Sequence, residues 1–197
     1  TLDSTGRASV SLGGSTGPNF VTASGTAGFV TYVRAPSGNV SFAVHQNGTA
    51  SSLAPSGGAL AGIAEGGQRI GAARTELNRI ATDFVDGVNA VQAAGRDLDG
   101  NPGAPLFTVG AAATDISLAL ASGRGIAAAG VGGGPRDNSN LAALEALRTT
   151  GAFEADAAGL VANNAAALDQ RKTVSDAQNA IREGAITARD QLTGVNL

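Results

Sequence analysis

The fold of this chain is decided by the stretch from Ile70 to Phe107, which reads IGAARTELNRIATDFVDGVNAVQAAGRDLDGNPGAPLF. Apolar residues recur every seven positions along its first part, at Ile70, Leu77, Phe84 and Val91. That spacing predicts an amphipathic helix with one narrow buried face. A long helix of this kind is more typical of a structural protein than of an enzyme.

The helix pattern runs into a turn-rich segment, Gly95–Phe107. Gly95 occupies the position that favours a C-terminal cap. The run from Asp97 to Asn101 resembles the start of a calcium loop, in which alternate oxygens converge on one ion. Pro102 follows at once and the closing glutamate of such a loop is missing, so we interpret the run as a rigid turn.

The composition predicts a thin core rich in alanine. Aromatic residues make up 4% of the chain, and tryptophan and methionine are missing from it. A core of this kind is typical of elongated helical bodies.

Charge and residue usage exclude several classes of partner and site. The formal net charge is -3 and the arginines are scattered, so we expect no nucleic-acid partner. No apolar run approaches the roughly 20 residues that cross a bilayer, so we expect no membrane partner. The chain contains no cysteine, which excludes disulfides and thiolate ligands.

Residues 1–57 carry short alternating runs that predict strands. Phe29–Arg34 forms one run, and Val40, Phe42 and Val44 line one face of the next. Asn47 and Gly48 then provide the residue pair that favours a two-residue hairpin turn. We therefore expect a small antiparallel β unit here.

Two further helices are expected downstream. A short one follows the potential N-cap residues of the run from Asp137 to Asn140, and a long one covers residues 154–193. The long helix has a seven-residue apolar stripe, which we expect to pack antiparallel against the stripe of the first helix. Gly159 and Gly184 lie inside it and suggest close approach of a neighbouring backbone. A strand is expected over residues 115–120.

These patterns predict an α+β protein: an elongated, rod-like bundle of long antiparallel helices with a small antiparallel β-rich domain at the N-terminal end. Residues 1–57 are assigned to a partial, β-rich outer domain. Residues 58–197 are assigned to a mainly helical rod domain, with a short strand and loop insertion near residues 96–137.

The candidate motifs for chemistry are weak. The run from Gly123 to Ala128 spells the dinucleotide pattern G-x-G-x-x-A, but the alternating strands and helices that make this pattern meaningful are not predicted around it. His45 is the single histidine, and we expect it on the solvent-facing side of a strand. We predict no enzyme and no catalytic, cofactor-binding or metal-binding residues.

Five segments occur in an order that is typical of one family: Leu77–Asn89, the run GRDLDGNPG at residues 95–103, Leu106–Phe107, Asp137–Asn140 and Arg189–Leu197. Together they resemble the flagellar hook-associated protein 1 (FlgK) family. The resemblance covers residues 58–197 and marks the chain as an internal fragment that lacks the family's terminal helices.

The resemblance implies a structural subunit of the bacterial flagellum that forms a ring at the hook–filament junction and adapts hook to filament. The implied partners are the hook protein, the second junction protein and further copies of the chain, with an export chaperone acting through the missing C-terminus. The implied location is extracellular, reached by type III export without a cleaved signal peptide. Two alternatives stay open: another flagellar axial protein, either the second junction protein or a flagellin, or a secreted adhesin-like structural protein.

Overall fold

A computed structural model describes residues 2, 4–134 and 136–194 of the chain, in which five strands precede the first long helix and a short strand pair separates that helix from the last two helices. The strands are β1 (Val10–Ser11), β2 (Asn19–Val21), β3 (Phe29–Arg34), β4 (Val40–Gln46), β5 (Thr49–Leu53), β6 (Phe107–Thr108) and β7 (Ser117–Leu118). The helices are α1 (Gly58–Ala94), α2 (Ser139–Thr150) and α3 (Phe153–Thr193). This content confirms the predicted α+β class.

The chain divides into two compact units, Thr1–Asn78 and Arg79–Leu197. The first unit contains β1 to β5 and the N-terminal half of α1, and the second contains the rest of α1 and all later elements. The predicted assignment of residues 1–57 to an outer domain and of residues 58–197 to a rod domain stays a prediction.

The first unit is built on an antiparallel sheet in the order β3-β4-β5. Its core consists of Phe42 and Val44 from β4 and Leu53 from β5, exposed by 7%, 1% and 4%. The predicted alternation is therefore confirmed. Burial of each of these side chains contributes about 1.5–3 kcal/mol.

The predicted hairpin turn joins β4 to β5. Asn47 and Gly48 have φ of 49° and 78°, and Gln46 pairs with Thr49 across the turn. Positive φ at both central residues belongs to a type I′ turn, whose twist matches that of the two strands. The turn prediction is confirmed.

His45 is half-buried, which corrects the expectation that it faces solvent. Its ring stacks on Phe29 with 4.9 Å between ring centroids, and its Nε2 lies 2.9 Å from the Thr31 hydroxyl. The sheet register places Phe29 directly opposite His45, so the neighbouring strand supplies the cover.

In the first unit, α1 packs through one face on which a leucine is followed by small residues. Leu60 and Ala64 contact the core cluster, and Gly67 and Gly71 continue the same face one and two turns later. A β-carbon on Gly67 would lie 2.9 Å from the Gly38 carbonyl oxygen, so the β3–β4 turn rests directly on the helix backbone.

This packing corrects part of the predicted helix stripe. Ile70 and Leu77 are 56% and 46% exposed, whereas Ile80 and Val88, further along the stripe, are buried. The β3–β4 turn lies over Gly67 and Gly71, and Ile70 contacts it only at its margin, where its Cγ2 lies 3.4 Å from the position of a β-carbon on Gly38.

In the second unit, β6 and β7 form a short antiparallel pair in which Phe107 lies opposite Leu118. The strand expected over residues 115–120 is therefore too long. Residues 113–115 form a 3₁₀ turn instead. The Asp115 carboxylate accepts the N–H of Ala112 at 3.0 Å, and this local bond favours the turn over the strand.

The helix ends agree with the sequence. Helix α1 stops at Ala94, directly before Gly95. Gly151 follows α2, and Gly194 follows α3 with φ of 64°, the left-handed conformation of a C-terminal cap.

The glycine face of α1 makes a direct prediction. Gly67→Ala places a methyl group against the Gly38 carbonyl and lowers the free energy of unfolding by about 1–3 kcal/mol. Gly62→Ala is the matched control, because nothing lies within 4 Å of its added carbon, and it raises stability by about 0.5–1 kcal/mol. Urea unfolding followed by Tyr32 fluorescence, the chain's single tyrosine, measures both. Equal stabilisation by the two substitutions would contradict the contact.

Candidate functional site

The segment after α1 is a turn held by one carboxylate. Asp97 Oδ1 accepts the N–H groups of Asp99 at 2.9 Å and Asn101 at 2.8 Å. The Asp97 carbonyl accepts the N–H of Gly100, whose φ is +82°. These bonds confirm the interpretation of the run as a rigid turn.

Two glycines of the same segment allow the backbone to come close to other parts of the unit. A β-carbon on Gly95 would lie 2.3 Å from the Asn140 amide nitrogen. One on Gly103 would lie 2.2 Å from the Gln92 carbonyl oxygen. Gly95, Gly100 and Gly103 are therefore needed for different reasons: the first and last for space, the middle one for its dihedral angle.

Gln92 fixes the 123–129 segment to the last turns of α1. It is only 2% exposed, and its Nε2 donates to the Gly125 carbonyl at 2.6 Å. Its Oε1 accepts the N–H of Ala127 at 3.2 Å. Both ends of the amide are thus satisfied by backbone, as a buried polar side chain requires.

Asn140, near the start of α2, makes a second contact of this kind. Its Nδ2 donates to the carbonyls of Val91 at 2.9 Å and Ala127 at 2.7 Å. The Val91 carbonyl belongs to the last turn of α1, where no helical N–H is left to bond it. Asn140, near the start of α2, therefore supplies a hydrogen-bond donor that the last turn of α1 lacks.

Asn89 makes the third contact. Its Oδ1 accepts the N–H groups of Leu106 at 2.8 Å and Phe107 at 3.1 Å, and its Nδ2 donates to the Phe107 carbonyl at 2.8 Å. Phe84, one turn earlier, packs against Phe107 with 5.9 Å between ring centroids. We call Asn89, Gln92 and Asn140 the amide clamp, because together they hold the 96–137 loop against α1.

The sequence analysis did not identify the amide clamp. Asn89 and the run from Asp137 to Asn140 belong to the segments of family resemblance, but the three amides are widely separated in sequence. The one local indication of the clamp is that Gln92 interrupts an apolar stripe. An exposed glutamine would interrupt a stripe in the same way, so this indication does not identify a buried amide. Bringing the three amides together requires the tertiary fold.

Asp137 caps the start of α2. Its carboxylate accepts the N–H of Gly130 at 2.8 Å and both the N–H and the hydroxyl of Ser139, at 3.1 and 2.8 Å. The bond from the Gly130 N–H is the main cause that holds the pKa of Asp137 below its ordinary value, and the Ser139 bonds add to it. The neighbouring Asn138 makes no such bond with its side chain.

The dinucleotide-like pattern at residues 123–128 lies inside the 96–137 loop, where its residues bond other parts of the same loop. Residues 123–125 form a 3₁₀ turn, and the Arg124 guanidinium forms a salt bridge with Asp99. The bond with Asp99 raises the pKa of Arg124. The next described helix, α2, begins only at Ser139, so the glycines do not lead directly into a helix as a dinucleotide site requires.

An open cavity of about 550 Å³ lies beside the turn at residues 123–125, lined by residues that include Arg96 and Gly133.

Charged clusters do not form a metal site in the part of the chain that the structure describes: no group of three histidine or carboxylate side chains is placed to hold an ion. Within the same residues, no helix is long and apolar enough to span a membrane. The prediction that the chain has no catalytic, cofactor or metal residues stays a prediction.

Helix α3 is attached at its beginning and exposed beyond it. Phe153 meets the Phe84 ring edge-to-face at 5.6 Å, and Asp156 accepts from Arg79 at 2.6 Å. Every residue from 168 to 189, by contrast, is exposed. Gly159 and Gly184 have no neighbouring atom within 4 Å of an added β-carbon, so the expected close approach of another backbone is not found at either.

The apolar residues of this exposed part include Leu168, Val174 and Ile181, with 72%, 50% and 72% of their surfaces accessible. The expectation that their stripe is buried against α1 is therefore wrong for these residues. We refer to residues 168–189 as the exposed helix.

The side-chain amides of this unit bond backbone groups, and its close glycine contacts fix the loop by packing. Residues 1–107 match the family model described as the flagellar hook-associated protein FlgK helical domain. The match covers more than half of the chain, and the chain belongs to this family. It is thus a hook-associated structural component of the bacterial flagellum. The curated proteins and the solved structures contain no match to it.

The family model matches residues 1–107, whereas the motif resemblance covers residues 58–197, so the two ranges overlap only in part. The matched residues include 1–57, where the sequence shows no family motif of its own. They end at Phe107, so the resemblances at Asp137–Asn140 and Arg189–Leu197 lie beyond them and stay predictions. Residues 195–197 also lie outside the described residues.

The amide clamp predicts the effect of Asn140→Ala. The substitution leaves the buried carbonyl of Ala127 and the partly buried carbonyl of Val91 without the Asn140 donor, and stability falls by about 1–3 kcal/mol. Asn163→Ala, at an exposed position of α3, is the control and changes stability little. Denaturant unfolding followed by circular dichroism compares them, and equal stabilities would contradict the role of Asn140.

The Asp137 cap predicts a dependence on pH. Because its pKa is lower in the folded chain, its contribution to stability is present above the unfolded-state pKa, near 3.9, and is lost as the pH falls through the folded value. Asp137→Asn removes this part of the acid dependence. Asp176→Asn, at an exposed site in α3, is the control for the charge change. Unfolding measured across this acidic range in the three proteins checks the prediction, and an unchanged pH profile in Asp137→Asn would refute it.

Proposed function

We propose that this chain is the rod part of a subunit that forms a ring at the hook–filament junction, adapting the hook lattice to the filament lattice without catalysis. The proposed partners are the hook protein, the second junction protein and further copies of the chain. An export chaperone is a transient partner in this proposal, and the subunit leaves the cell by type III export without a cleaved signal peptide.

The observation that supports the proposal best is the exposed helix. Isolated helices are marginal in water, and most helical stability in proteins comes from packing of an apolar face. Val174 and Ile181, which are seven residues apart and share one side of α3, leave such a face uncovered in this chain. An axial protein is surrounded by other subunits, and in this proposal those neighbouring subunits cover the apolar face.

The amide clamp is a second, independent observation that supports the same role. A junction subunit transmits load, so its loops must keep their shape when the lattice is strained. Three side-chain amides and two close glycine contacts fix the 96–137 loop to α1 by short-range interactions that tolerate little displacement. Nothing in this arrangement requires a bound ligand.

The test is genetic complementation in the bacterium that carries the gene. Deletion is expected to leave hooks in place and filaments unattached, and the wild-type gene is expected to restore both filaments and motility. A deletion strain with normal filaments would refute the proposal. A strain that lacks hooks as well would move the protein to a different axial position.

A substitution links the phenotype to the exposed helix. Ile181→Asp places a charge in the uncovered apolar face and is expected to abolish filament attachment, while the protein carrying it keeps its helix content. Asn179→Asp introduces the same charge on another side of the helix, because residues two apart do not share a face. Loss of attachment in both variants, or in neither, would contradict the assignment of this face.

A further inference from the structure

The backbone of Ala152, between α2 and α3, is in the left-handed region, with φ of 53° and ψ of 19°. Among the described residues other than glycine, Asn47 alone shares a positive φ. Asparagine visits this region through local hydrogen bonds of its side chain, whereas the alanine β-carbon comes too close to a carbonyl oxygen. The preceding residue, Gly151, would take this conformation without strain, yet it is right-handed, with φ of -72°. The strain therefore falls on Ala152.

Local hydrogen bonds do not compensate for this strain. A left-handed residue after a helix normally donates its N–H to a carbonyl of the last helical turn. In the part of the chain that the structure describes, the Ala152 N–H makes no such bond. Ala152 is also the N-cap residue of α3, and it has no side-chain oxygen for that role. A conformation of this kind persists only where contacts from elsewhere hold it.

Two contacts with α1 hold the start of α3. The Phe153 ring meets the Phe84 ring edge-to-face with 5.6 Å between centroids, and Asp156 accepts from Arg79 at 2.6 Å. The ion pair is 45% and 38% exposed, and a surface pair of this kind contributes little. The Phe153 ring also occupies the space in which a β-carbon on Gly151 would lie, so Gly151 is needed for space and not for its dihedral angles. Phe153 is therefore the main restraint on the strained residue.

Ala152 alone separates α2 from α3. The Gly151 N–H donates to the Leu147 carbonyl at 2.7 Å, as in a helix, and the Ala152 carbonyl accepts the N–H of Asp156 at 2.8 Å, as the first bond of α3. Every other residue from 139 to 193 is in a right-handed helical conformation. With Ala152 right-handed, the free N–H groups at the start of α3 would reach the free carbonyls at the end of α2. Alanine is also the residue with the highest helix propensity.

We propose that residues 151–153 form a hinge whose state is set by Phe153. While Phe153 packs on Phe84, Ala152 stays left-handed and the two helices are separate. When Phe153 leaves Phe84, Ala152 becomes right-handed, and α2 and α3 join into one helix over residues 139–193. This conformational change belongs to the chain itself and does not depend on the proposed junction function.

The hinge sets the direction of the exposed helix. A change of φ and ψ at one residue turns the whole segment that follows it, and α3 runs without interruption from Phe153 to Thr193. Ile181 lies about 40 Å from Ala152 along the helix, at about 1.5 Å per residue, so the turn displaces it much further than the start of α3. A partner that binds the exposed helix in only one of the two arrangements would shift the hinge toward that arrangement.

Nuclear magnetic resonance of the 197-residue chain tests the hinge. In the wild type, coupling constants and carbon shifts are expected to report a left-handed Ala152, and the N–H groups of residues 152–155 are expected to exchange rapidly. Phe153→Ala removes the ring that holds the hinge. It is expected to give a right-handed Ala152 and to slow exchange at residues 152–155 by about five- to tenfold, because each N–H gains a helical acceptor.

Phe107→Ala is the matched control for this variant. It removes a ring of the same size from Phe84, since Phe107 packs on Phe84 with 5.9 Å between centroids, but it leaves Phe153 in place. Ala152 is expected to stay left-handed in this variant, with rapid exchange at residues 152–155.

Ala152→Gly tests the strain itself and does not require a phenylalanine variant to fold. Glycine takes the left-handed conformation without strain, so the folding equilibrium constant is expected to rise about two- to fivefold once the larger backbone entropy of glycine is subtracted. Ala155→Gly, at an exposed and right-handed position in the first turn of α3, is the control and is expected to lower the constant.

Three results would overturn the inference. One is a folded Phe153→Ala chain in which Ala152 stays left-handed and residues 152–155 still exchange rapidly. Another is a Phe107→Ala chain that shows the change expected of Phe153→Ala. The third is an Ala152→Gly chain that is destabilised as much as Ala155→Gly. None of them bears on the flagellar role, which complementation tests separately.

Discussion

The second unit depends on how the last turn of α1 satisfies its backbone. A helix end leaves carbonyl groups without intrahelical donors, and burying them unpaired costs about 1–3 kcal/mol each. In this chain Asn140 bonds the Val91 carbonyl, and Gln92 and Asn89 extend the same kind of contact to the loop that follows. The position of α2, the path of the loop and the need for glycine at two points all follow from this constraint.

The glycine contacts and the amide clamp require each other. Gly95 leaves the space that the Asn140 amide occupies, and Gly103 lets the loop approach the Gln92 carbonyl. A side chain at either position would push the loop away from the amides that bond it. The turn at Asp97 then sets the direction in which the chain returns, with Gly100 at the one point where φ is positive.

The parts of the fold that rest on local chemistry could be predicted from the sequence. The strand Phe29–Arg34, the turn at Asn47 and Gly48 and the helix end before Gly95 each follow from residues close together in the chain. The same holds for the turn at Asp97. The wrong predictions were those that stated which helix faces are buried. Ile70 and Ile181 have the spacing of buried residues, but covering them depends on partners that spacing does not specify.

The amide clamp was missed for a related reason. Its members are polar residues whose burial is acceptable only because particular backbone groups from distant segments reach them. Periodicity identifies apolar faces, and it treats a glutamine such as Gln92 as a break in the pattern. The family match includes Asn89 and Gln92 but ends at Phe107, before Asn140.

Amide hydrogen exchange on the 197-residue chain tests the central claim most directly. The N–H groups of Leu106 and Ala127 lie in irregular loop, yet each donates to a side-chain amide of the clamp. If the clamp holds the loop to α1, these two protons exchange as slowly as the helical N–H of Val88, because all three open in the same cooperative event. Exchange at the rate of an unstructured peptide, with Val88 still protected, would show that the loop opens independently and would contradict the account.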